Sequence, residues 1–528
     1  MLHALELENF KAFGERARIP FAPITLIFGE NSAGKSTILQ ALNLLKQTRE
    51  SRETGALLLP RTENGIVDLG SFQELLFDHE LKRTLSIRVE TKIDRQVSVE
   101  FSFKRPSLEE EVLLDQIKIY YGNPARCIAK FQPSGATVEP DEFLGFLFHS
   151  FYINLRGPRP SKLAAVKCVW LTKAARYWRP EFEWVKKNRK EILSRFEEEK
   201  SDLNQQYSKE ALREDADRLQ EAVDSLDEYI KFFSSNFDLK TYISEMHKHE
   251  MDTGLGMQGF LPFEAISSER KPRRAADPRS VLRGRFDHRV FDVAQWTMVA
   301  GRALEQTLEA LFPMGPFRRP PERWYIFTGT SPQDVGYRGD LLPDLLLRRP
   351  ELVKEANQWL EQLDIGYKLK VKPVGTDSGD LFEVRLVDTR RKGKEGIDVA
   401  LPDVGFGISQ LLPFVVQSLV SEKQIISIEQ PEVHVHPRLQ ADLGDLLAEA
   451  IKEPRHNQFI VETHSEHLIL RLQRLVYEKR IQPEDVSVIY VSRGPEGAKA
   501  ERLRLDEEGD FIDEWPDGFF PERLRELR

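Results

Sequence analysis

Between Gly29 and Thr37 the chain reads GENSAGKST, a glycine followed after four residues by Gly34, Lys35 and Ser36. Glycine at Gly29 and Gly34 lets the backbone curl until successive N–H groups face one anion. Glu30, Asn31, Ser32 and Ala33 complete the curl, and a helix starting near Lys35 brings the positive end of its dipole. In this pattern Lys35 reaches the β- and γ-phosphates and the Ser36 hydroxyl sits on Mg²⁺. The chemistry is that of nucleoside triphosphate binding, with ATP and Mg²⁺ as the expected cofactors.

Three later stretches carry groups that complete such a site. The apolar run Gln424 to Ile428 leads into Glu429, Gln430, Pro431 and Glu432, and a carboxylate at a strand tip is placed to hold Mg²⁺ through water, opposite Ser36. A second run, Gln458 to Val461, ends at Glu462, Thr463, His464 and Ser465. His464 there is placed to hydrogen-bond a γ-phosphate or orient water, against the plainer reading as a structural histidine. Asp403 to Gln410, DVGFGISQ, opens a helix, so Gly405, Gly407 and Ser409 offer N–H groups and a positive dipole end to an anion. Gln73 is a candidate sensor of γ-phosphate and Mg²⁺, against the reading as a surface helix residue. His434 and His436 alternate onto one face if the strand continues, but only Glu432 lies nearby, and no metal site is expected there.

The elements that must position these residues can also be read. Ile24 to Phe28 is a buried strand and Ile38 to Leu45 has helical apolar spacing, so the glycine loop lies between strand and helix. Leu2 to Asn9 alternates as a strand. Leu85 to Phe103 and Gln116 to Phe131 alternate apolar and polar residues, which predicts an antiparallel lobe, closed by Phe143 to Leu155 as a strand or short helix. Trp184 to Phe232 is dense in Glu, Lys and Arg with apolar residues at helical spacing, the pattern of a helical insertion. Arg270 to Arg289 is strongly basic, either a nucleic-acid backbone contact or a solvated loop. Glu351 to Leu363 reads as a helix, and Tyr367 to Val371 with Leu381 to Val387 as a hairpin. The expected fold class is α/β, a phosphate-loop head with a mixed sheet and an antiparallel lobe. Its halves, residues 1–155 and 321–528, flank a largely helical insertion at 156–320.

Composition narrows the classes further. A chain of 528 residues can bury a sizeable core, and its two cysteines, Cys127 and Cys168, lack metal-ligand spacing, which favours a reducing compartment. The first residues carry acids where a signal peptide needs bases, and no apolar run approaches membrane-spanning length, so a cytoplasmic protein with no membrane partner is expected. A net charge of −9 argues against coating nucleic acid by bulk charge, though not against a local basic groove.

The order GENSAGKST, DVGFGISQ, IISIEQPEVHVHP, VETHSEHL resembles the ABC-type ATPase heads of the SMC, RecF and overcoming-lysogenization-defect superfamily. The tail IDEWPDGFFPERLREL, with RRPPERWY upstream, is similar to bacterial AAA-family ATPases with a short C-terminal extension of the DUF3696 kind, and the layout resembles Septu-type antiphage ATPases. The resemblance implies that Lys35 and Ser36 bind phosphates and Mg²⁺, that Glu429 is the Walker B acid and that His464 is the switch histidine. It implies also that Gly405, Gly407 and Ser409 cap ATP held by a second copy, so that ATP binds a head-to-tail dimer together. Gln430 stands where many relatives carry a general-base Glu. An amide cannot take the proton, and Glu432 could substitute, or Gln430 could only position water, so slow hydrolysis at the β–γ bond is expected. The chain after His464 is too short for the nuclease domain of the overcoming-lysogenization-defect proteins. The expectation is therefore an ATPase subunit of a bacterial antiphage complex with an effector nuclease in trans. The alternative is a DNA-binding clamp of repair or chromosome maintenance that uses 270–289.

Overall fold

The computed structural model describes residues 1–51, 57–63, 65–92, 96–122, 125–133, 149–153, 164–170, 182–183, 185–210, 223–224, 227–228, 230–241, 250–258, 261–267, 299–374, 380–390 and 396–516. The basic segment 270–289 lies outside them.

In chain order, β1 (Leu2–Glu8) and β2 (Ala17–Pro20) precede β3 (Ile24–Gly29), which feeds the glycine loop and helix α1 (Lys35–Glu50). After the short helix α2 (Phe72–Leu75) come β4 (Leu85–Lys92), β5 (Gln96–Lys104), β6 (Leu113–Tyr121) and β7 (Arg126–Pro133). Next are β8 (His149–Ile153), β9 (Ala164–Trp170), α3 (Arg189–Glu210), β10 (Glu250–Gln258) and β11 (Leu261–Ser267). Then follow β12 (Leu311–Met314), β13 (Tyr325–Ile326), α4 (Leu342–Arg348), α5 (Pro350–Gln362), β14 (Tyr367–Pro373), β15 (Leu381–Asp388) and β16 (Ile397–Ala400). The last elements are α6 (Phe406–Val420), β17 (Ile425–Glu429), α7 (Pro437–Ala450), β18 (Gln458–Glu462), α8 (Glu466–Tyr477), β19 (Val486–Gly494) and β20 (Gly497–Leu503).

The sheet that matters for chemistry has six strands in the order β12-β17-β18-β3-β19-β20. All neighbours are parallel except β19 and β20. Its inner strands β17, β18 and β3 are apolar on both sides because both faces are covered. Ile27, Ile425, Ile460, Ile489 and Val491 enter one core with α1, whereas Leu26, Ile426, Ile428, Phe459, Val461 and Val488 enter another with α6, α7 and α8. That two-sided burial is why these stretches read as continuous apolar runs rather than alternating ones.

The second sheet has ten strands, ordered β11-β10-β9-β8-β7-β6-β5-β4-β1-β2, and is antiparallel except where β8 runs parallel to β7. The predicted antiparallel lobe is therefore present, but it does not close near residue 155. Strands β9, β10 and β11 continue the same sheet, so the region 156–320 combines helix α3 and a helical run at 299–310 with strands. Its far boundary also shifts, because β12 at Leu311–Met314 already belongs to the six-stranded sheet.

One face of the ten-stranded sheet packs Leu5, Leu7, Ile87, Val89, Val99 and Phe101 onto α1. The opposite face carries an ion lattice in which Glu6, Arg88, Glu90 and Glu100 are buried while Arg16 and Arg18 reach solvent. Glu100, 1% exposed, accepts hydrogen bonds from Arg16, Lys118, Ser86 and Tyr120, and Arg18 pairs with Glu90 at 2.8 Å. Arg88 donates to Glu6 at 3.2 Å and stacks its guanidinium 3.9 Å from the Tyr120 ring centre. These charges are tolerated out of water because each has charged and hydrogen-bonding partners.

Candidate functional site

Three adjacent parallel strands deliver the site. β3 ends at Gly29, β18 at Glu462 and β17 at Glu429. The pairings Glu429 with Glu462 and Glu462 with Ile27 set two carboxylates beside the mouth of the glycine loop.

Residues Gly29 to Thr37 turn sharply there. Gly29 has φ 140°, and a Cβ on it would lie 2.0 Å from the Val491 carbonyl oxygen, so only glycine fits against β19. Gly34, with φ 107°, caps α1 without a side chain. Glu30, Asn31 and Ser32 lie on the surface, Ala33 and Thr37 are buried, and Arg493 donates to the Ser32 carbonyl at 3.1 and 3.2 Å. Lys35 is 4% exposed and its Nζ donates to the carbonyls of Gly29 at 3.1 Å and Glu30 at 2.5 Å. Burial lowers its pKa, opposed by the charges of Glu462 and Glu30. The ammonium is held over the loop by weak partners that phosphate oxygens can replace.

The Ser36 hydroxyl donates to Glu462 Oε1 at 3.0 Å, while Glu462 Oε2 is buried and accepts no hydrogen bond from the described residues. Burial raises the Glu462 pKa against the pull of Ser36 and Lys35. Glu429 is pushed up to about 7, by burial first and by Glu462 second, with Arg318 opposing. Two carboxyls, a serine hydroxyl and an unpartnered carboxylate oxygen form a hard-oxygen set that fits Mg²⁺ shared with phosphates.

Glu432 is 9% exposed and its Oε1 accepts the backbone N–H of His464 at 2.6 Å, tying the turn after β17 to the end of β18. Its Oε2 is buried and meets no donor at good hydrogen-bond geometry among the described residues, although the nearby Thr463 hydroxyl favours its ionised form. Burial also raises its pKa, and burial then Lys35 lower that of His464, which keeps the imidazole neutral and able to donate one N–H. His464 meets the edge of Phe28, with ring centres 6.2 Å apart. Gln430 follows β17 in the left-handed region, φ 45°, and its N–H donates to the Glu462 carbonyl at 2.7 Å.

The glycine motif at 403–409 starts α6. Gly405 caps the helix, and a Cβ there would meet nothing within 4 Å, so this end of the helix is open. Gly407 is different: a Cβ would lie 2.4 Å from the His434 carbonyl oxygen, so the helix presses on the turn that follows β17. Ser409 is buried, and Asp403 pairs with Arg323 through both carboxylate oxygens at 2.7 and 2.9 Å.

The placement of His434 and His436 differs from expectation. Residues 431–434 form a turn, with His434 at φ 63°, so strand alternation does not apply to His434 and His436. His436 instead caps α7, its Nδ1 accepting the Arg438 N–H at 3.3 Å. Among the described residues no group of three or more His, Cys, Asp or Glu could hold a metal ion. Gln73 sits on α2, where its amide donates to the His79 carbonyl at 3.1 Å, engaging the turn after that helix.

Sequence reading missed three residues of the site. Glu462 ends a strand beside Glu429 and carried the same strand-tip signal, overlooked beside His464. Arg493 and Arg318 reach the site from β19 and from the segment after β12, where no local pattern announces them.

Comparison with known proteins adds the following. A family profile described as AAA ATPase domain matches residues 1–121 and 349–469, and one described as protein of unknown function (DUF3696) matches 481–528. No curated protein matches the chain. Among solved structures, the chain is similar to the Smc head domain with an extended coiled coil bound to the C-terminal domain of ScpA from Pyrococcus furiosus. The identity is 12% and the TM-score 0.37, over 100% of this chain and 99% of that one. It is similar also to the SMC head domain from Thermotoga maritima, at 11% identity and a TM-score of 0.35 over 95% and 98% of the two chains. The Smc head domain with coiled coil and joint from Pyrococcus yayanosii stands at 12% and 0.35, over 95% and 97%.

Proposed function

For a chain that carries an AAA ATPase domain in two segments and ends in a DUF3696 segment, we propose an ATP-operated switch that hydrolyses its nucleotide slowly. The observation that carries the reading is the contact of Ser36 with Glu462, in register with Glu429, at the mouth of the loop that holds Lys35. Lys35 exchanges two loop carbonyls for phosphate oxygens. Ser36, Glu462 and Glu429 are the residues that would hold Mg²⁺, which when bound neutralises charge between the β- and γ-phosphates. His464, neutral, donates to a terminal phosphate oxygen or orients the attacking water. Gln430 positions water but cannot accept its proton, a deficit typically worth ~10² to 10⁴ in rate. Glu432, a carboxylate outside the Mg²⁺ set, is the acceptor proposed to make up part of it.

The open start of α6 at Gly405, with Gly407 and Ser409, caps ATP held by a second copy, so ATP assembles a head-to-tail pair. No described helix is long and apolar enough to cross a membrane. The setting we assign is a cytoplasmic antiphage complex in which ATP-dependent assembly governs a nuclease supplied in trans; the resemblance of the motif layout to such ATPases supports it. Purification of the native complex with and without ATP tests it. The expected result is an ATP-dependent oligomer that co-purifies with a nuclease, and a species of the same size and composition in both conditions would refute it.

A further inference from the structure

Arg318 follows β12 and is 4% exposed. Among the described residues its guanidinium makes one hydrogen bond, from Nη1 to the Pro316 carbonyl at 3.1 Å, while Nε and Nη2 are buried and donate to none of them. A cation taken out of water without a bonded carboxylate costs several kcal/mol, and buried donors without partners are rare, so the arrangement needs a reason. Glu429 and Glu432 supply the negative field that opposes the lowering of Arg318 to about 10 by burial.

Arg318 also touches α6. Its backbone N–H donates to Gln410 Oε1 at 3.3 Å, in a buried position on the early turns of α6. Gln410 Nε2 and Glu432 Oε2 are likewise buried without a hydrogen-bond partner among the described residues. Donors and an acceptor short of partners thus lie on both sides of one arginine, and a polar network left partly satisfied has more than one arrangement open to it. The close approach of Gly407 to the His434 carbonyl gives a second contact between the start of α6 and the turn after Glu429.

We propose that Arg318 is a positioning residue that couples the carboxylates at the end of β17 to the first turns of α6, relaying occupancy of the phosphate loop to the surface that meets a second copy. The inference rests on the composite-site reading above and adds the device that links its two halves. In the empty site the guanidinium is held by the field of Glu429 and Glu432. A cation held by Glu429 and Glu462 would offset that counter-charge, and the Arg318 segment, tied to α6 by its backbone N–H on Gln410, would shift together with the helix start.

The test uses the full chain and two variants, Arg318→Met, which keeps the bulk and removes the charge, and Arg318→Lys, which keeps the charge without the planar fork. ATP·Mg²⁺ affinity is measured by calorimetry and ATP-driven self-association by analytical ultracentrifugation. In Arg318→Met the dimerisation constant with ATP is expected to fall by on the order of tenfold more than the nucleotide affinity does, in the usual range of coupling between sites. Arg318→Lys should fall between, because charge alone restores part of the link. Because the methionine removes a buried cation whose guanidinium makes a single hydrogen bond and no ion pair among the described residues, the variant should unfold at no lower temperature than wild type. Unchanged ATP-driven association in Arg318→Met overturns the relay. Parallel loss of binding and association overturns it too, since Arg318 would then belong to the nucleotide pocket itself. If wild type binds ATP but stays monomeric, the composite-site reading falls first and the relay with it.

Discussion

The raised carboxyl of Glu429 has two opposite pH signatures, one in binding and one in stability. Burial and the neighbouring Glu462 push it up to about 7 from the ordinary 4.5, and Mg²⁺ accepts only the ionised form. Roughly a tenth of the groups are ionised at pH 6 and roughly nine-tenths at pH 8. ATP·Mg²⁺ affinity should therefore rise about tenfold over that interval, or about 1.4 kcal/mol. Glu462 is raised as well and steepens the slope in the same direction. For the empty protein the sign is reversed. A folded-state pKa above the unfolded one means that the native chain holds a proton the unfolded chain has released. Its stabilising contribution is complete below pH 4.5 and is lost as pH rises through 7, by about 3 kcal/mol at most. Thermal unfolding without nucleotide should thus weaken between pH 5 and pH 8, while the stabilisation gained from ATP·Mg²⁺ grows. Calorimetry in Mg²⁺, with the same titration in EDTA to remove the titration of ATP itself, measures the first. Glu429→Gln should abolish most of the pH dependence in both experiments. A flat affinity between pH 6 and 8, or an equal slope in Glu429→Gln, would refute the assignment of the charge to this carboxyl.

Three other outcomes follow from the same geometry. Glu100→Gln removes the charge at the centre of the ion lattice, where the carboxyl is held down to about 2 by Arg16, Lys118 and Tyr120 against burial, and should cost about 3–5 kcal/mol in urea unfolding. Because that pKa is depressed, the contribution is present above pH 4.5 and fades as pH falls towards 2, so the variant and wild type should converge in acid. Ser36→Ala leaves Glu462 Oε1 without its donor and should lower Mg²⁺-dependent ATP affinity by on the order of tenfold, leaving the weaker Mg²⁺-free binding unchanged in calorimetry. Gln430→Glu supplies a base after the strand-end acid and should raise phosphate release by roughly 10²-fold; no increase would shift the role of base to Glu432, tested next as Glu432→Gln.

How much of this was legible in the sequence depended on whether a feature is local. The glycine loop announces itself because Gly29, Gly34, Lys35 and Ser36 make one turn of backbone whose demands on residue type are steric. The alternating strands β4 to β6 were readable because their core face is made within each strand. That carboxylates on the polar face would be buried was not, since Arg16, Glu100 and Tyr120 satisfy one another only across several strands. The four residues Leu311–Met314 carry too little periodicity to separate from the preceding helix, and only pairing with β17 reveals them as a strand. His434 defeats the alternation rule because a left-handed residue reverses the chain where a strand would continue. Arg318 lies in an arginine-rich stretch that looks solvated, yet Gln410, Glu429 and Glu432 from distant positions enclose it.

The most direct measurement is ATP binding by wild type and by Lys35→Ala, titrated with and without Mg²⁺. The strand-end carboxylates and the loop lysine together predict micromolar-order binding that strengthens on adding Mg²⁺ and is lost by about 100-fold or more in Lys35→Ala. Equal affinity of the two proteins, or binding indifferent to Mg²⁺, would contradict the site described between Gly29, Glu429 and Glu462.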